Sequence, residues 1–149
     1  MSLRHSPVYT SKAQASVERW HGLLWAHCRT FKVAIKENYS MDIDVTTPLM
    51  CWIVKHASWV QNRYQLHDDG KSSYERRWGT AYYKPNCEFA ECVLFQYATT
   101  DWPKTSIAWY YGIWLGRCAQ SDEHFIGTPT GVYRTRTVRR QPNSDRYRK

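Results

Sequence analysis

Apolar residues recur every three or four positions from about Lys12 to Tyr39, at Val17, Trp20, Leu24, Cys28, Phe31, Ile35 and Tyr39. That is the period of an α-helix buried along one stripe. At 1.5 Å per residue the helix would be roughly 40 Å long. A parallel line on the same helix reads Glu18, Gly22, Trp25, Arg29, Lys32 and Lys36, again in steps of three and four. Thr47 followed by Pro48 opens a second helix, with threonine at the cap and proline at the first helical position. Its stripe is Leu49, Ile53, Ala57, Val60 and Tyr64, widened by Met50, Trp52, Val54 and Trp59. Asp68-Asp69-Gly70 marks a turn. Ser72 with Glu75 three residues on fits a capping box that starts a short helix.

Beyond Pro85 the period changes. Phe89, Glu91, Val93, Phe95 and Tyr97 alternate, as do Trp109, Tyr111, Ile113 and Leu115. The runs His124 to Thr128 and Val132 to Val138 flank the turn signal Pro129-Thr130-Gly131. Short strands with glycines inside or beside them (Gly112, Gly116, Gly127) predict a sharply bent sheet, a small antiparallel β-barrel. Trp109, Tyr110, Tyr111 and Trp114 are expected to supply barrel core and a half-exposed face. The segments are therefore an extended lead-in (residues 1–11), a helical part (12–84), a β-barrel (85–138) and a basic disordered tail (139–149).

The 149 residues carry a formal net charge of +8. The excess is uneven: after Gly131 stand Arg134, Arg136, Arg139, Arg140, Arg146, Arg148 and Lys149, against Asp145 alone. A basic excess favours an anionic partner, most commonly nucleic acid. No apolar run is long enough to span a bilayer, so no membrane partner is expected. Five cysteines, an odd number without Cys-x-x-Cys spacing, read as reduced intracellular thiols. His21, His27 and Cys28 lack the spacing of metal ligands one helical turn apart.

The order of these parts resembles the integrase region of retroelement Pol polyproteins, closest to copia-type long-terminal-repeat retrotransposons. Ser16-Val17-Glu18-Arg19-Trp20 is similar to the segment around that family's third catalytic acid. The stretch Trp59 to Tyr64, followed by Asp69-Gly70-Lys71-Ser72-Ser73-Tyr74-Glu75-Arg76, resembles its Asn-Arg and Gly-Lys-Thr-Pro-Tyr-Glu signature. Phe89-Ala90-Glu91-Cys92-Val93 and Gly112-Ile113-Trp114-Leu115-Gly116 resemble the module that follows. Departures are Gln14-Ala15-Ser16 where Asn-Gly is frequent, Gly22 where a polar or basic residue is usual, and Ala90 for glycine.

The resemblance implies an α+β fold: the closing helices of a ribonuclease H-like integrase core, then the small barrel. It implies DNA integration by metal-dependent strand transfer. Glu18 would be the third catalytic acid and a ligand of Mg2+ (or Mn2+). Arg19, Trp25, Arg29, Lys32, Lys36, Arg139 and Arg140 would contact DNA. Expected partners are DNA, the remainder of the core and an integrase oligomer, with action in the nucleus. The family's first two catalytic Asp lie upstream of this helix, and nothing before Glu18 is Asp or Glu. These residues alone are therefore expected to hold no metal and to catalyse no strand transfer. Two other readings stand beside this one: a non-catalytic nucleic-acid-binding or assembly remnant, and a structural spacer.

Overall fold

A computed structural model describes residues 15–98 and 108–147. The expectations for residues 1–11 and for the start of the first helix at Lys12 fall outside them. Among the described residues the chain is α+β, with three helices followed by five strands. Helix α1 is Ala15–Tyr39, α2 is Pro48–Tyr64 and α3 is Ser73–Trp78. The strands are β1 (Cys92–Phe95), β2 (Tyr110–Arg117), β3 (His124–Thr128), β4 (Gly131–Thr135) and β5 (Val138–Arg140). They form one antiparallel sheet in the order β4-β3-β2-β1-β5.

The helix starts follow their local chemistry. Thr47 is extended ahead of Pro48, although its side chain makes no capping hydrogen bond. Ser72 caps α3 by accepting from the Glu75 N–H, and Gly79 ends it in the left-handed conformation, φ 77°. Leu24, Cys28 and Ile35 of α1 pack against Met50, Ile53 and Ala57 of α2 and against Phe89, Leu115 and Phe125 from the sheet side. The predicted stripe fails at its upper end, because Val17 and Trp20 are exposed. A groove separates the first turns of α1 from the end of α2 and the segment after it, so their side chains are not covered there. On α2, Tyr64 is exposed, while His56, Gln61 and Arg63 are buried.

The sheet has a core on each face. Ile113, Leu115 and Phe125 turn to the helices. Val93, Phe95, Trp114 and Ile126 form the second core, with Tyr133 of β4 and Val138 of β5 packed on it. Strands at opposite edges of the ladder thus curl onto one cluster. A β-bulge between Trp114 and Gly116 makes this possible. The extra residue turns Leu115 and Gly116 to the same side, bending the strand. Gly116 has φ +120°, and a Cβ there would lie 3.0 Å from His56 Nδ1.

Two expectations need correction. Val132 to Val138 is two strands, because the chain leaves the ladder after Thr135, whose hydroxyl donates to the Gln96 carbonyl at 2.6 Å. Residues 139–147 are not a disordered tail: they complete β5 and a 3-10 turn, Asn143–Asp145. The Arg146 carbonyl accepts from the Cys92 N–H at 2.7 Å, which fastens this segment beside β1.

Candidate nucleic-acid interface

With 3.6 residues per turn, Glu18, Trp25, Arg29, Lys32 and Lys36 fall on one side of α1, next to its buried stripe. Glu18, Trp25, Arg29 and Lys36 are exposed and Lys32 is half-buried. The helix keeps them in fixed register over about 27 Å, since eighteen residues separate Glu18 from Lys36. Trp25 lies 52% exposed on this face. Lys36 donates to Asp42 Oδ2 at 3.0 Å, so part of its charge is already balanced. Arg29 and Lys32 make no ion pair among the described residues. Arg29 also borders a shallow depression with Ala26, Thr30, Val33 and Glu37.

Arg19 does not join this row. It is rotated about 100° from Glu18 and lines a groove of about 570 Å³ between the start of α1, the end of α2 and α3. Trp20, Gln61, His67 and Arg76 share that groove. Gln61 donates from its amide to the Trp20 carbonyl at 3.2 Å, tying α2 to α1. Arg76 is held by Asp69 at 2.9 Å.

Glu18 occupies the first turn of α1. Among the described residues no three His, Cys, Asp or Glu side chains lie together as a metal-binding group. A divalent cation such as Mg2+ needs several hard oxygen donors in near-octahedral array. These residues do not fit such a site, and Glu18 is at most one donor to it.

The carboxy-terminal arginines separate from one another. Arg140 donates from Nε and Nη2 to the two oxygens of Glu91, at 2.7 and 2.6 Å. Glu91 is fully buried, and it also accepts from the Glu88 N–H at 2.9 Å. Its two hydrogen bonds to the buried Glu91 commit the partly exposed Arg140 to an internal clamp, contrary to its expected place on DNA. The carboxylates beside it hold its guanidinium above the ordinary arginine range, chiefly through the Glu91 hydrogen bonds. Arg146 adds a second cation near Glu88 and Glu91, and Tyr147 donates to Glu88. Arg139 stays exposed, its guanidinium 4.3 Å over the Trp109 ring.

Sequence reasoning missed the buried polar residues. Glu91 carried a signal: its phase between Phe89 and Val93 points it inward, where a carboxylate requires a cation. Arg63 carried none. It sits in a box of Trp59, Tyr74 and Tyr82 rings, 4.3 to 5.2 Å from their centroids. It locks α2 to α3 and is unavailable to a ligand. His56 is stacked against Trp59 and Phe89, and burial pushes its pKa down to about 4. No helix among the described residues is long and apolar enough to cross a membrane. Comparison of the sequence with protein-family models and with curated proteins gives no match.

Proposed function

We propose that this chain is the latter part of a retroelement integrase, and that its role in DNA integration is to hold the DNA backbone along α1. In this reading residues 12–84 are the closing helices of a ribonuclease H-like core and residues 85–138 a small barrel. The curl of β4 and β5 onto one core supports the barrel. Glu18 is the remnant or member of a three-acid site whose other acids lie outside the described residues, and no chemistry is assigned to it here.

The observation that carries the reading is the line of Arg29, Lys32 and Lys36 on one rigid helix face, Arg29 and Lys36 exposed and Lys32 half-buried. Cations spaced along a rod match a polyanion whose charges repeat along its axis. A second reading, a non-catalytic nucleic-acid-binding module, is favoured by the isolation of Glu18 from other carboxylates among the described residues. Both readings require duplex binding through α1, and the spacer reading requires none.

The test is duplex affinity as a function of salt for the parent chain and for Arg29→Ala with Lys32→Ala. Lys36 is a weaker choice, since Asp42 already balances it. Each lost phosphate contact lowers the slope of log K against log salt by about 0.9, so the double variant is expected to lose close to twice that. An unchanged slope rejects the α1 contact.

A further inference from the structure

The helix-facing side of the sheet extends beyond the helices that cover it. Register places Tyr111, Leu94 and Arg139 in one row across β2, β1 and β5. The next row on that side is Ile113, Gly127 and Val132. Ile113 is packed under the helices, whereas Tyr111 is 62% and Val132 42% exposed. Trp109 is two residues from Tyr111, with Arg139 over its ring. Arg134, two residues after Val132, pairs with Phe125 and so lies beyond the Ile113 row, on the far side from Tyr111. The bare strip thus has two aromatic rings beside one arginine, Arg139 on the edge strand β5.

Strands are about 4.8 Å apart, which puts the Tyr111 and Arg139 positions about 10 Å from each other across the sheet. Arg139 pairs with no carboxylate among the described residues. Flat π faces beside a guanidinium group suit an unpaired base and its phosphate. A duplex keeps its bases stacked on one another and offers no ring to Tyr111. An acidic peptide would satisfy Arg139 but leave the rings bare.

We propose that this strip binds single-stranded DNA, Tyr111 and Trp109 stacking on bases while Arg139 holds a phosphate. The proposal rests on the nucleic-acid reading above and adds a second surface, one for unpaired strand, to the duplex face of α1.

The experiment measures affinity of the full chain for a labelled thymidine oligonucleotide and for a duplex of equal length. Tyr111→Ala is expected to weaken single-strand binding by about fivefold or more, the lower range of one base–aromatic stack. Tyr111→Phe should keep it, and duplex affinity should stay within about twofold for both. A 5-iodouridine oligonucleotide should photo-crosslink the parent chain at Trp109 or Tyr111, a readout that needs no variant to fold. Unchanged single-strand affinity in Tyr111→Ala, an equal fall in duplex affinity, crosslinks confined to other positions, or equal competition by polyglutamate would each overturn the proposal. Loss of duplex binding in the Arg29 and Lys32 variants, with single-strand binding intact, concerns α1 alone. Duplex binding that depends on α1, with no single-strand binding, rejects the strip and leaves the α1 reading standing.

Discussion

Two kinds of buried polar side chain set the stability of this chain at the scale of single residues. Glu91 is sealed against β1 and Arg140 neutralises it through two parallel hydrogen bonds. Arg140→Gln leaves a buried carboxylate with Arg146 at 3.8 Å as its nearest cation. With Glu91 buried, Arg140 partly exposed and Arg146 still close, the loss is expected to cost about 1–3 kcal/mol, which urea denaturation would read as a lower midpoint at unchanged slope. The histidines act through pH. Burial lowers the pKa of both His56 and His124 to about 4. An unfolded histidine takes up its proton near 6.5, so between these values the unfolded chain binds more protons. The stabilisation is complete above pH 6.5 and is lost as pH falls toward 4. At pH 5 each histidine should have lost on the order of 2 kcal/mol. Thermal melts at pH 7.5 and pH 5 check this, and His56→Leu should reduce the difference between them.

Among the elements, those governed by local rules were legible and those governed by distant neighbours were not. The α2 start at Pro48, the Ser72 cap and the α1 stripe from Leu24 to Ile35 follow from periodicity and capping chemistry, which act within one or two turns. The row of Arg29, Lys32 and Lys36 was legible for the same reason. The exposure of Val17 and Trp20 was not, because only the spacing between α1 and the end of α2 decides which turns of α1 are covered. Likewise the alternation in β2 implied Tyr111 inward with Ile113 and Leu115. They do share a side, but the helices end before Tyr111, and the Trp114 to Gly116 bulge adds a residue that no pattern announced. That bulge gives a test of its own. Gly116→Ala forces a Cβ to 3.0 Å from the His56 ring at a backbone angle that side chains avoid. A cost of about 1–3 kcal/mol is expected, measurable as a lower melting temperature. Arg140 shows the converse limit: its place in a basic run suggested DNA, and only the partner forty-nine residues earlier revealed its use.

Over the whole molecule, two cores on opposite faces of one sheet leave the cations to the outside, apart from Arg63, Arg117 and Arg140, which serve the interior. Arg117 bonds to Asn86 and to the Pro85 and Asp122 carbonyls and is spent on structure. The remaining positive charge includes α1 and both edges of the sheet, and a net +8 gives the molecule a long-range attraction for polyanions that salt screens. The central claim is that the cations of α1, rather than this general charge, hold a DNA backbone. The most direct measurement is duplex binding by Arg29→Glu with Lys32→Glu, set beside a control that reverses two exposed cations elsewhere, Lys71→Glu with Arg77→Glu. Net charge falls equally in the two. The account predicts that the α1 variant loses at least tenfold in affinity at low salt, about 1.4 kcal/mol, while the control loses much less. Equal losses in the two variants, or none in either, would contradict it.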